Sequence, residues 1–256
     1  MKLELKNKRV LVTGGTRGIG LAIVQAMVAE GATVCLCARN PQRLKQVATD
    51  FQQQGYPVDA SCLDVSDSKA LKQWIADSAE TMGGIDIIIA NPSAFAIGFS
   101  EQDWQMGYST DLMSTVHLIQ EAQPYLQQSA LQSGDAAIVI LSSVATVEAD
   151  QESAYGAYKA ALIHVAKGAA RRLANQKIRV NVISPGTIYV EDGFWGNARQ
   201  QMPELFQSYL NKNPFGRMGT PGEVANVAIF LCSAAASFVT GANIHVDGAL
   251  SSRVNY

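Results

Sequence analysis

Arg9-Val10-Leu11-Val12-Thr13-Gly14-Gly15-Thr16-Arg17-Gly18-Ile19-Gly20 leads directly into Leu21-Ala22-Ile23-Val24-Gln25-Ala26-Met27-Val28. A short aliphatic, β-rich run meets a cluster of glycines, and an apolar stretch of helix formers follows, so the segment reads as strand, glycine turn and helix. Glycines in such a turn let the backbone approach a pyrophosphate, whose charge is met by the free N–H groups and positive dipole end of the helix. The spacing of Gly14, Gly18 and Gly20 differs from G-x-G-x-x-G, and no Gly-Lys-Ser/Thr follows as a P-loop requires. On this segment alone, a phosphate cradle and a bare glycine turn stand as equal alternatives.

Outward from this turn the same alternation repeats. Strand patterns at 32–38, 58–63, 85–90, 136–141, 178–183 and 242–247 are separated by helical patterns at 42–54, 68–82 and 103–131, a helix carrying Tyr155 and Lys159, and one opening at Pro221. Repeated βα units of this length imply an α/β fold, a parallel sheet with helices on both faces. From 189 to 218 the pattern loosens, with Phe194, Trp195, Phe206, Tyr209 and Phe215 set among Gly, Asn and Pro. An aromatic lid that excludes water from a site fits this stretch, and simple packing of a long excursion is the alternative. No repeat, linker or low-complexity tract divides the 256 residues, so 1–256 is read as one domain.

A net charge of −2 gives no electrostatic case for nucleic acid or an anionic membrane as partner. With no run of eighteen apolar residues and no signal-peptide core near Met1, the expected location is cytoplasmic. Cys35, Cys37, Cys62 and Cys232 lack metal-site spacing and are expected as buried, reduced thiols; His117, His164 and His245 do not cluster and read as structural, so no metal is expected. The acids of the polar loop 148–153 read as solvent-exposed.

Chemistry-bearing residues collect at the carboxyl ends of the strands, where ligands bind in open α/β sheets. At the end of the second strand a carboxylate would suit the ribose hydroxyl of NAD and an arginine the 2′-phosphate of NADP; here stands Arg39 with no acid, and Arg17 supplies a second positive charge, which favours NADP over NAD. Asp64-Val65 ends the third strand, Asn91-Pro92-Ser93 follows the fourth, and Ser142-Ser143 ends the fifth. Tyr155 and Lys159, four apart, share one helix face. A phenol titrating near ~10 is a poor acid or base at neutral pH, and an adjacent positive charge favours the phenolate, which would let Tyr155 exchange a proton with a substrate oxygen.

Thr13-Gly14-x-x-x-Gly18-x-Gly20, Ser143, Tyr155-x-x-x-Lys159, Pro185-Gly186 and Val246-Asp247-Gly248 together resemble the short-chain dehydrogenase/reductase family, in its compact 3-oxoacyl-reductase-like form, over essentially the whole chain. The resemblance implies a Rossmann-like, doubly wound, seven-stranded parallel sheet and a homotetramer or homodimer. It also implies hydride transfer between a nicotinamide cofactor, NADPH by the arginines, and a ketone or secondary alcohol. By that resemblance Tyr155 is the general acid and base, Ser143 binds the reacting oxygen, and Lys159 binds the nicotinamide ribose while favouring the Tyr155 phenolate. Gly14, Thr16, Arg17, Gly18, Ile19 and Gly20 would hold the pyrophosphate end and Arg39 the 2′-phosphate. Asp64 and Val65 would contact adenine, and Asn91, Pro185, Gly186 and Ile188 would line the nicotinamide half. Two departures stand out. The family's Asn-Asn-Ala-Gly is here Ala90-Asn91-Pro92-Ser93, and its catalytic asparagine falls at Asp111, whose carboxylate would accept but not donate hydrogen bonds and would pair with Lys159. Val190 stands near the place of a frequent threonine. These departures keep open an alternative, an NADP-binding sensor or assembly protein with little catalysis.

Overall fold

The β1 strand Arg9–Thr13 is an interior strand of the sheet, parallel to β2, Thr33–Ala38, on one side and to β4, Ile87–Ala90, on the other. The computed structural model describes residues 2–148 and 152–254. β3, Val58–Cys62, extends the sheet beyond β2; β5, Ala136–Leu141, β6, Ile178–Pro185, and β7, Asn243–Val246, extend it beyond β4. All seven strands are parallel, in the order β3-β2-β1-β4-β5-β6-β7. β4, β5 and β6 are buried at every residue, which is why their sequences run continuously apolar instead of alternating.

Helices cover both faces. α1, Gly18–Ala29, α2, Pro41–Gln53, and α9, Pro221–Cys232, close one side over Val10, Val12, Leu36 and Val139. α3, Ser68–Met82, α5, Ser114–Ser133, and α6, Ala154–Leu173, close the other over Leu11, Ile88, Ile138 and Val180. Strand order turns back on itself between β1 and β4, so a crevice opens at their carboxyl ends, where the loops before α1 and after β4 diverge to opposite faces.

Two expectations change. The 103–131 helix is not continuous: α4, Glu101–Met106, passes through a π-helical segment, Gly107–Met113, before α5. The widened turn is satisfied by hydroxyls, Ser109 Oγ donating to the Gln105 carbonyl at 2.9 Å and Thr115 Oγ1 to the Asp111 carbonyl at 3.0 Å. The 189–218 stretch, which reads as irregular, is largely helical, with α7, Phe194–Gln201, and α8, Pro203–Lys212. Its helices are short and separated only by Met202, so neither gives a sustained apolar period.

Burial pushes the Cys35 thiol up to about 11 and the Cys232 thiol to about 12, and raises Cys37 as well, so these three are inert core thiols. Cys62 instead is exposed on the edge strand β3. No group of three or more metal-ligating residues occurs among the described residues. Of the polar loop, Glu152 is exposed and Glu148 partly buried, while Asp150 lies outside the described residues.

Candidate active site

The glycine turn is held from below and from the side. Gly14 N–H donates to the Cys37 carbonyl at 2.9 Å, and Asn91 Nδ2 donates to the carbonyls of Thr13 at 3.3 Å and Gly14 at 3.1 Å. Gly14 sits at φ +69°, where a side chain is strained, and a Cβ on Gly20 would run into the Gly14 carbonyl and the Asn91 amide. This packing presents the open N-terminus of α1 to the crevice with no side-chain cap. The first N–H groups of α1 are thus left open to the crevice, the arrangement an anion site at a helix N-terminus needs.

One cleft of about 580 Å³ runs from this turn to Tyr155. It is lined by Gly14, Thr16, Arg17, Gly18, Ile19 and Gly20 at one end, by Arg39, Val65, Asn91 and Ser143 along its length, and by Tyr155, Lys159, Pro185, Gly186 and Ile188 at the other. Two expected residues fall outside it. Asp64 turns its carboxylate onto Ser66, accepting from the backbone N–H at 2.9 Å and the hydroxyl at 2.8 Å, and meets Arg39 only at 3.9 Å. Burial opposes its ionisation, but these donors and Arg39 together hold its carboxyl below the usual range. Asp111 lies behind the cleft wall, 1% exposed.

The two adjacent serines separate cleanly. Ser142 is buried and its hydroxyl donates to the Lys159 carbonyl at 2.8 Å, a structural tie between β5 and α6. Ser143 accepts from Ala145 N–H at 3.1 Å and, among the described residues, donates to no protein acceptor. The Tyr155 hydroxyl likewise has no protein partner among them. Two free hydroxyl donors thus face one cleft.

Lys159, 3% exposed, is held on three sides: its Nζ donates to the Leu141 carbonyl at 3.0 Å and the Pro92 carbonyl at 3.3 Å, lies 3.2 Å from Asp111 Oδ1, and sits 5.7 Å from the Tyr155 ring centroid. Asp111 Oδ2 accepts from Ala94 N–H at 2.9 Å. Asp111 Oδ1 has the charge of Lys159 beside it without an aligned hydrogen bond, so that contact is ionic. The two departures seen in the sequence are therefore one device. The loop after β4 lines the cleft with Asn91, Pro92 and Ser93 in place of a glycine, and it donates Ala94 N–H to the carboxylate that pairs with Lys159. The π-helical segment carries Asp111 to that position.

Three functional candidates were not visible as such in the sequence. Arg43 lines the cleft beside Arg39 because Asn40 caps α2, accepting from Arg43 N–H at 2.8 Å, with Pro41 as the first helical residue; the Asn-Pro cap was the available signal. Asp192 reaches over to Arg43, 2.5 Å away, and its carbonyl accepts from Arg17 at 3.4 Å. Phe95, at φ +51°, stacks edge-on to Tyr155 and carried no signal.

A family model described as enoyl-(acyl carrier protein) reductase matches residues 14–251. Isoepoxydon dehydrogenase of Aspergillus clavatus is 38% identical over 257 residues, spanning 96% of each chain. A tropinone reductase homologue of Arabidopsis thaliana is 35% identical over 97% of this chain and 92% of its own. L-sorbose reductase from Gluconobacter frateurii, solved with NADPH and L-sorbose, superposes with a TM-score of 0.91 at 27% identity, covering 99% of this chain and all of its own. Agreement of this extent, in sequence and in fold, makes the chain a member of the short-chain dehydrogenase/reductase family of oxidoreductases.

Proposed function

We propose that the chain is an NADPH-dependent carbonyl reductase, reversible as an alcohol dehydrogenase, acting on a ketone or secondary alcohol. The observation that carries this reading is the pair of hydroxyls whose donors meet no acceptor among the described residues, Ser143 and Tyr155, facing the cleft beside a lysine buried and charge-paired behind them. The glycine cradle and the three arginines at the far end of the cleft fit a phosphorylated dinucleotide, and the L-sorbose reductase relative was solved with NADPH. Gly14, Thr16, Gly18, Ile19 and Gly20 would hold the pyrophosphate, and Arg17, Arg39 and Arg43 the 2′-phosphate. Val65, Asn91, Pro185, Gly186 and Ile188 would form the walls, with Asp64 acting at most from the rim.

When bound, the nicotinamide supplies the hydride. The protein supplies the proton and the positioning. Tyr155 hands its phenolic proton to the substrate oxygen, and Ser143 donates a hydrogen bond to that oxygen as negative charge develops. Lys159 fixes the electrostatics behind Tyr155, and Asp111 sets how much of that positive charge Tyr155 feels. Phe194 and Trp195, at the start of α7, close the cleft against water.

The test is a carbonyl panel with NADPH and NADH in parallel. Turnover is expected with NADPH favoured by tenfold or more in kcat/KM; a preference for NADH would remove the role given to Arg39 and Arg43. Turnover on any member also dismisses the sensor reading. A homotetramer or homodimer belongs to the same proposal, supported by the exposed apolar surface of Phe99, just before α4, Met106 at its end and Tyr108 on the π segment.

A further inference from the structure

Resting on the reductase reading, we propose that Phe95 is a specificity-determining residue that, together with Phe194, confines the reacting end of the cleft to flat, uncharged ring ketones and the matching cyclic secondary alcohols. Phe95 is a large apolar residue, 43% exposed, and holds φ at +51°, a conformation that side chains other than glycine rarely adopt. Such a backbone persists only where its surroundings over-determine it, and they do. Phe95 N–H donates to Ser93 Oγ at 3.0 Å and Ala94 N–H to buried Asp111. On the far side the Ala96 and Gly98 carbonyls accept from Tyr155 and Ala154 N–H, at 3.0 and 3.2 Å. Two of these four bonds, from Tyr155 and Ala154 N–H, tie the loop to the first turn of the helix bearing Tyr155, so the backbone on either side of Phe95 is fixed relative to the proton donor.

The result is an aromatic wall. The Phe95 centroid lies 5.3 Å from that of Tyr155 and 5.3 Å from that of Phe194, which in turn lies 5.0 Å from Trp195. Phe95, Phe194, Trp195 and Tyr155 all line the cleft. Rings so arranged present faces and edges that a flat, unsaturated ring meets over its whole area, whereas a flexible chain must give up rotamers to do so. Charge is also sorted along the cleft. Its arginines gather at the end of the glycine turn, and the one charged residue lining the reacting end among the described residues, Lys159, is paired with Asp111. An anionic substrate therefore finds no free cation beside Tyr155.

Three ten-carbon carbonyl compounds separate the possibilities: 1-tetralone, 2-decanone and 2-oxodecanoate. Because 2-decanone is at least as apolar as 1-tetralone, preference for the latter reports shape and not burial alone. Wild type should favour 1-tetralone in kcat/KM over both others, and Phe95→Gly or Phe95→Leu should shrink the tetralone-to-decanone ratio by roughly tenfold, with NADPH affinity retained as the sign of an assembled site. Equal loss on both ketones, or wild-type preference for 2-decanone or the anion, would overturn the proposal while leaving the reductase reading intact. Equilibrium dialysis of the three compounds against NADPH-loaded Tyr155→Phe protein gives the same order without chemistry. Tetralone binding best there, with no turnover by wild type, would uphold the selectivity of the aromatic wall and overturn the reductase reading.

Discussion

Asp111 is the residue whose chemistry differs most from what its position implies, and its contacts say how. One carboxylate oxygen takes the Ala94 N–H and the other faces the Lys159 ammonium. An asparagine there satisfies only one of the two: with its oxygen toward Ala94, its amide hydrogens point at Lys159, and the reverse orientation strands the Ala94 donor. Leaving a buried cation without its partner costs about 3 kcal/mol. Asp111→Asn is therefore expected to lower the midpoint of thermal unfolding by several degrees, read by calorimetry, and, because it removes the charge that offsets Lys159 beside Tyr155, to leave kcat unchanged or raised, read by NADPH oxidation. Unchanged stability would show that Lys159 is held by the Leu141 and Pro92 carbonyls alone, and a tenfold loss of kcat would give the carboxylate a role of its own. Phe95 belongs to the same scale: its left-handed backbone costs roughly 1–2 kcal/mol that the loop's hydrogen bonds must offset.

At the scale of elements, the segment entering α7 and the first turn of α2 meet across the mouth of the cleft through Asp192 and Arg43. Both side chains are more than a third exposed, so the pair is weak by itself, and a 2′-phosphate would compete with Asp192 for the same guanidinium. Asp192→Asn should lower the KM for NADPH by roughly two- to fivefold with little change for NADH. An equal effect on both cofactors would mean that Asp192 shapes the loop and does not contest the phosphate.

How far such elements can be read in a sequence depends on what fixes them. The 68–82 helix and the 136–141 strand have the same limits in sequence and structure, because Asp67 caps the one and burial on both faces makes the other continuously apolar. Tyr155, Lys159, Ser143 and the glycine turn were legible because local spacing places them at strand ends and on one helix face. The π segment, the partner of Arg43 and the bend at Phe95 were not. Each is set by a contact between residues far apart in the chain, Asp111 with Lys159, Arg43 with Asp192 and Ala96 with Tyr155, and no local period records those.

For the molecule as a whole, the site is one end of the sheet and stability is secured at the other. Asp86, 4% exposed just before β4, accepts from Arg9 backbone N–H at 2.7 Å and from Arg9 Nε at 2.8 Å, and from the Ser129 hydroxyl on α5, joining two central strands to a covering helix. Burial disfavours its charge, yet the hydrogen bonds from Arg9 and Ser129 outweigh it and hold the carboxyl below its ordinary range. A lowered folded value means that the unfolded chain binds the proton first. The stability from Asp86 is thus fully present above the ordinary carboxylate range near ~4 and is lost as pH falls through the lower folded value. Urea unfolding followed from neutral pH downward should show this acid limb. Asp86→Asn should lose about 3 kcal/mol at neutral pH and flatten the limb. A mutant whose pH profile merely shifts down in parallel would assign the acid sensitivity to other carboxylates.

The central claim is that Tyr155 gives the proton in a carbonyl reduction whose cofactor is held by the rest of the cleft. It is tested most directly by comparing wild type with Tyr155→Phe in two readings on the same protein, the NADPH dissociation constant and the rate of NADPH oxidation with a carbonyl substrate. The expected result is an NADPH affinity within about threefold of wild type and a rate reduced by at least ~10³, the upper part of the range for loss of a positioned proton donor. A Tyr155→Phe protein that binds NADPH and reduces the substrate at close to the wild-type rate would contradict it.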